Sequence, residues 1–399
     1  MRVLVVAEFY PSRRDPVLGV WAHRQALAAR DAGAEVQVLV LNRLVPPRSA
    51  LAAGPRAALG AFAERAREPR AQTLDGLRIS YVPFVSPERG RTYAKWGAWA
   101  APSLGLAIAR LHRSFPFDLI HAHNAVPAGE AVRRVRASRA VRAPLLVSVH
   151  GGDVLYTAVR VPGGGETVRR ALTDARLVLA NSEGIAELSR AHGARETRVV
   201  HLGTDVPAAA RPPRRSGAPP TLVTVAHLVA RKRHADVLRA LAVLSPRHPT
   251  LRYAIVGEGP ERAALEALAE RLEVAERIDF HGQLAPERAV ELARRCTLFA
   301  MPSTEEAFGV AYVEAMAGGV PAIGCRGEAG PEEIAAAGDG MVLVPPGDIE
   351  RLSQRIDELL SDPHRLHEAG QRARATVAAN FTWERCGRQT IDAYELALR

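Results

Sequence analysis

Three features of the 399-residue chain predict an α/β fold of two doubly wound domains with parallel sheets. Short β-rich runs alternate with amphipathic helical stretches from the first residues. The alternation stops in a proline-rich segment, and beyond it the same rhythm restarts. The length suits two or three domains.

In the first half, "VLVVA" (3–7) reads as a buried strand and "GVWAHRQALAARDAG" (19–33) as a helix closed by Gly33. The strands "EVQVLVL" (35–41), "LIHAH" (119–123) and "LLVSVH" (145–150) follow. Their near-continuous apolar character fits a sheet covered on both faces. "VPAAARPPRRSGAPP" (206–220) holds five prolines in fifteen residues and reads as a linker, because proline lacks the amide donor of a helix interior or central strand. After it come "TLVTVA" (221–226), "YAIVG" (253–257), "IDFHG" (278–282), "LFAMP" (298–302) and "PAIGC" (321–325), with "ERAALEALAERL" (261–272) among the intervening helices. The expected division is 1–205, linker 206–220, 221–380, and a terminal helix 381–399 that either packs locally or crosses back to the first domain. Two such domains imply a cleft with ligands at the carboxyl ends of the strands.

Apolar residues make up 47% of the chain, which speaks against disorder. No apolar run approaches the length of a membrane span, and the first apolar run is too short for a signal peptide. Cys296, Cys325 and Cys386 share no disulfide or metal spacing, so a reducing, cytoplasmic setting is expected. The net charge of +10, mostly arginine, favours acidic partners or is a solvated surface. No zinc spacing or aromatic-basic platform points to nucleic acid.

The chemistry concentrates in "EAFGVAYVEAMAGGVPAI" (306–323). "LFAMPS" leads as a strand into the loop "TEEA", and Phe308-Gly309 opens a helix that ends near Gly318-Gly319. Glu306 then lies at a strand end, and the N–H groups of Phe308, Gly309 and Val310 form a helix N-terminus able to receive an anion. Glu314, just over a turn further, can accept hydrogen bonds from a diol. An anion site with a diol site below it suits a sugar nucleotide. Spacing alone is equally met by two surface glutamates on an amphipathic helix.

With its surroundings, this stretch resembles the retaining glycosyltransferases of family 4, which have the GT-B fold. Glu306, Phe308, Gly309, Glu314, Ala315, Met316, Gly319 and Pro321 stand at that family's motif positions. "VAHLVARKRHADVLRAL" (225–241), "AIVGEGPERAALEALA" (254–269), "FHGQL" (280–284), "GPEEI" (330–334) and "FTWE" (381–384) extend the likeness over nearly the whole chain. The resemblance implies that Glu306 contacts the donor sugar and Glu314 the ribose. It implies that backbone at Phe308, Gly309 and Val310 meets phosphate or sugar, that Lys232 neutralises the diphosphate, and that the peptide near Leu284 borders the base. In the first domain it places His150 of "HGGD" (150–153) near the reacting sugar, with Asp153 on the acceptor side, and Gly19 where backbone approaches the phosphates. His227 departs from the family, where arginine is frequent. A histidine cannot make the bidentate fork on phosphate, so either Arg231 or Arg233 would supply the charge or the clamp would be looser.

No Asp-x-Asp occurs, so no metal and no cofactor is expected; Lys232, nearby arginines and helix N-termini would stabilise the leaving group. The resemblance implies front-face attack with retention, acting on a glycan, a lipid-linked glycan or a small alcohol. A sugar-nucleotide epimerase or phosphorylase on the same frame is the enzyme alternative, and a non-catalytic carbohydrate-binding protein the other. The arginine-rich stretch 42–70 and the segment 91–113, with Trp96 and Trp99, are read in two ways. They are ordinary surface helices with inward tryptophans, or a face that docks on an anionic membrane.

Overall fold

Runs of β-branched and aliphatic residues become central strands because only a strand covered on both faces can bury every side chain. In this computed structural model, which describes the chain except residues 13, 14, 47, 68, 140 and 209–218 and the side chains at 48 and 66, β1 (Arg2–Ala7) is buried from its second residue onward. The proposed linker 206–220 falls largely outside the described residues. Two compact units are formed: Met1–His201 with Cys386–Arg399, and Leu202–Arg385.

In the first unit, β1 is joined by β2 (Glu35–Arg43), β3 (Ala71–Leu74), β4 (Leu77–Phe84), β5 (Leu119–His123), β6 (Leu145–Val149), β7 (Leu177–Ala180) and β8 (Thr197–Val199). Among the described residues they form one sheet in the order β3-β4-β2-β1-β5-β6-β7-β8. All neighbours are parallel except β3 and β4. The core includes Leu4, Val6, Ile79, Leu104, Ile108 and Ile120, each fully buried. Trp96 is 2% exposed, edge-on to Phe84 and Tyr93. This packing agrees with the reading of 91–113 in which the tryptophans turn inward; Trp99 is half-buried.

The second unit places β9 (Thr221–Val225), β10 (Arg252–Val256), β11 (Ile278–Gly282), β12 (Leu298–Ala300), β13 (Ala322–Cys325) and β14 (Met341–Val344) in the order β11-β10-β9-β12-β13-β14, all parallel. Leu222, Leu238, Leu241, Tyr253, Ile255 and Leu298 build its core. The three cysteines are buried free thiols.

Strand order locates the working edge of each unit. The chain leaves the first strand in one direction and returns on its other side, so the loops after β1 and β5, and after β9 and β12, diverge. Such a reversal leaves a crevice at the carboxyl ends of the two strands.

Candidate active site

Lys232 and Glu306 lie 74 residues apart in sequence, on the two loops that flank the reversal in the second unit. After β9 the chain makes a single 3-10 turn (Ala230–Lys232), passes Arg233 with φ 56 and enters the helix His234–Leu244. After β12 it runs through Ser303 and Glu306 into the helix Val310–Ala317. Thr304 N–H donates to the Arg231 carbonyl at 2.8 Å, stitching the two loops together.

The Lys232 ammonium donates directly to the Glu306 carboxylate, which also accepts from the Ser303 hydroxyl at 2.9 Å. The Glu306 N–H donates to Glu328 at 2.7 Å. Burial pushes the Glu306 carboxyl up, but the charges of Lys232 and Arg231 and the Ser303 hydroxyl outweigh it and hold the group below its ordinary value. Glu306 is therefore a buried, oriented carboxylate. The chain has only two lysines, Lys95 and Lys232, among 53 basic residues, so the compact ammonium at 232 is a departure from its usual arginine.

Gly309 precedes the helix with φ 89, and a Cβ there would lie 2.3 Å from the Tyr312 ring, so no other residue fits. Tyr312 N–H returns to the Gly309 carbonyl at 3.0 Å. The first-turn N–H groups at Gly309 and Val310 have no carbonyl one turn earlier to bond. Phe308 is buried against the Phe381 ring. Glu314 is half-buried, and Arg294 donates to its carbonyl at 2.9 Å.

Of the clamp candidates, His227 is exposed, with its ring bonded to the Glu258 carbonyl. Arg233 is tied to Asp236. Arg231 is exposed, and its guanidinium donates to the Glu305 carbonyl at 3.3 Å. Leu284 sits half-buried in the loop after β11. Sequence reasoning missed Ser303, Tyr312 and Glu328, which hold the Glu306 loop from three sides. A serine three residues before a strand-end glutamate is too common a pattern to single out.

The first unit carries a second polar group at its own reversal. Gly19 has φ 73, and a Cβ there would meet the Phe9 carbonyl carbon at 2.2 Å, so the close backbone approach is to the loop after β1 itself. His150, following β6, stacks on His123 with rings 5.3 Å apart, Nε2 to Nδ1 3.0 Å. His121 bonds Ser148 and Tyr394, each at 2.7 Å. Burial draws His150 down to about 4 and His121 to about 3, so both are neutral at neutral pH. Among the described residues, Trp21 Nε1, His123 Nε2 and His150 Nδ1 are buried without a hydrogen-bond partner.

Asp153 is 1% exposed and accepts from Asn124 at 3.0 Å. Burial raises it to about 6, against the lowering effect of its hydrogen bonds. Glu8, unnoticed in the sequence, follows β1 and accepts from Tyr93 at 2.6 Å; burial raises it despite Arg89.

A family profile described as glycosyl transferases group 1 matches residues 207–376, and one described as glycosyl transferase 4-like domain matches 18–204. D-inositol 3-phosphate glycosyltransferase 2 of Catenulispora acidiphila is 30% identical over 316 residues, 72% of this chain and 73% of that protein. The chain belongs to glycosyltransferase family 4, group 1. This glycosyltransferase is also 28% identical, over 72% of its length and 78% of the relative's, to a Corynebacterium glutamicum protein. That relative is the GDP-mannose-dependent monoacylated alpha-(1-6)-phosphatidylinositol monomannoside mannosyltransferase. Sucrose-phosphate synthase from Thermosynechococcus elongatus shares the fold with a TM-score of 0.76 at 20% identity, covering 99% and 98% of the two chains. Anabaena HepE, solved with UDP and glucose, does so at 0.72 and 20%, covering 99% of each. The glycosyltransferase therefore has the GT-B fold.

Proposed function

We propose that this glycosyltransferase transfers a sugar, with retention of anomeric configuration and without a metal ion, from a nucleotide-diphosphate sugar to a hydroxyl acceptor. The observation that carries the reading is the Lys232–Glu306 pair at the reversal of the second sheet, beside the first turn of the helix Val310–Ala317. A cation next to an oriented carboxylate suits a diphosphate next to a sugar hydroxyl.

Lys232 and Arg231 neutralise charge as the bond from the anomeric carbon to phosphate breaks, and the N–H groups at Gly309 and Val310 add a fixed dipole. Glu306, already committed to Lys232, orients a sugar hydroxyl rather than attacking the anomeric carbon. The acceptor oxygen then bonds to that carbon on the face the phosphate leaves, and its proton passes to the departing phosphate oxygen. Glu314 holds the ribose hydroxyls and the peptide at Leu284 borders the base. Neutral His150 can donate or accept a hydrogen bond without repelling either partner, and Asp153 serves the acceptor.

The acceptor is a glycan, a lipid-linked glycan or a small alcohol. Inositol-based acceptors are favoured, because the names of both relatives above include inositol or phosphatidylinositol. Thermal-shift screening against UDP, GDP, ADP and their sugar conjugates tests the donor class. A ligand at 100 times its dissociation constant adds about 2.7 kcal/mol of stability. No shift with any of them contradicts the reading.

A further inference from the structure

The opposite edge of the first unit holds a feature that the transferase chemistry does not use. A concavity of about 620 Å³ opens where the chain enters β6, β7 and β8. Arg142, Arg176 and Arg195 stand on the segments just before those strands. Arg133 and Arg136 come from the helix Glu130–Ala137, and Arg169 and Arg170 from the helix Gly164–Asp174. Asp174 and Glu196 are the acidic residues of the lining.

Part of this charge has a structural duty. Arg133 is bonded to buried Glu130 at 2.7 Å, and Arg136 reaches the Ala143 carbonyl at 3.0 Å and Asp174 at 2.5 Å. Arg169 and Arg170 share Glu166. With Glu130 and Glu166 counted beside the two lining acids, seven arginines still face four carboxylates. Arg142 and Arg195 are exposed and make no hydrogen bond or ion pair among the described residues, and Arg176 makes a single long contact of 3.4 Å. The last turns of both helices present carbonyl ends here, and these absorb some positive potential, but they do not engage Arg142 or Arg195.

We infer that this concavity is a binding site for a small multiply phosphorylated anion, separate from the His150–Asp153 group of the same unit. Guanidinium forks match phosphate oxygens two at a time, and several forks around one hollow select a ligand with more than one phosphate. The volume is that of a small-molecule pocket. His150 follows β6 while Pro144 precedes it, so the hollow lies roughly 20 Å from the carboxyl-end cluster, at about 3.3 Å per strand residue.

The test is calorimetric titration of the full chain with inorganic tripolyphosphate at low salt. It compares wild type, Arg142→Ala/Arg195→Ala and Lys232→Ala. Exposed, unpartnered arginines can be removed without unfolding, which circular dichroism confirms. A binding event that persists in Lys232→Ala and weakens at least tenfold in the double variant supports the site. Equal affinity in wild type and the double variant overturns it. So does binding to phosphatidylglycerol vesicles with none to tripolyphosphate, which makes the arginines a lipid-facing surface instead.

Discussion

Replacing Lys232 by alanine leaves Glu306 buried beside Ser303 with the more distant charge of Arg231 still acting on it. Deleting one partner of a buried pair costs about 3–5 kcal/mol. The side chains here are 12% and 9% exposed, so the lower end, about 3 kcal/mol, is expected. The pH dependence follows from the charges. In the wild type the Glu306 pKa is lowered, so its contribution is present above the ordinary value of 4.5 and fades as pH falls through the folded value. In Lys232→Ala, burial prevails and raises the pKa, so the variant loses stability as pH rises through that range. The gap between the two proteins should be small in acid and full at neutral pH. Lys232→Met/Glu306→Gln removes both charges and should recover most of the loss. Chemical denaturation of the four proteins at acid and neutral pH measures this. Turnover should fall roughly 10²–10³-fold in Lys232→Ala and in Glu306→Gln, and should not recover in the double variant. Equal stability of single and double variants at neutral pH, with near-normal rates, would refute the reasoning.

Asp153 offers a reversed sign. Its folded pKa of about 6 lies above the ordinary 3.8, so ionisation destabilises the fold as pH rises through that window. Asp153→Asn should gain about 1–3 kcal/mol at neutral pH and nothing near pH 4, read by denaturant midpoints. Glu314→Ala should raise the donor KM more than it lowers kcat, because ribose contacts are alike in ground and transition states; steady-state kinetics separate the two. Activity should survive EDTA; loss on chelation that added Mg²⁺ or Mn²⁺ restores contradicts a clamp of Lys232 and Arg231. Among the described residues no helix is long and apolar enough to cross a membrane. The helices Arg48–Ala52 and Pro55–Ala66 nonetheless expose Leu51, Leu59 and Phe62. If they dock on anionic lipid, Leu59→Ser/Phe62→Ser should abolish flotation with phosphatidylglycerol vesicles at low salt.

Fold class was legible because apolar runs and breakers are local signals. "LIHAH" is β5 residue for residue, and the Gly309 turn is written in Phe-Gly before a helical run. β7 and β14, four residues each, are too short to stand out from helical flanks. The β3–β4 hairpin is signalled by its Asp75-Gly76 turn, both residues at positive φ, between the arginine-rich stretch 42–70 and the segment 91–113 rather than within either. The site was legible as motifs but not as a constellation. Nothing local says that Lys232 meets Glu306, that His123 stacks on His150, or that Tyr394 closes on His121 from 273 residues away. Such pairings come from strand order, which periodicity does not encode.

The most direct test of the central claim is the anomeric configuration of the first-formed product, read by proton NMR during turnover of the donor identified by thermal shift. An α-configured nucleotide sugar should yield an α-linked product in wild type, and Glu306→Gln should form it at least a hundredfold more slowly, by the roughly 10²–10³-fold loss expected for one such contact. A β-linked product, or no transfer from any nucleotide sugar, would contradict the account.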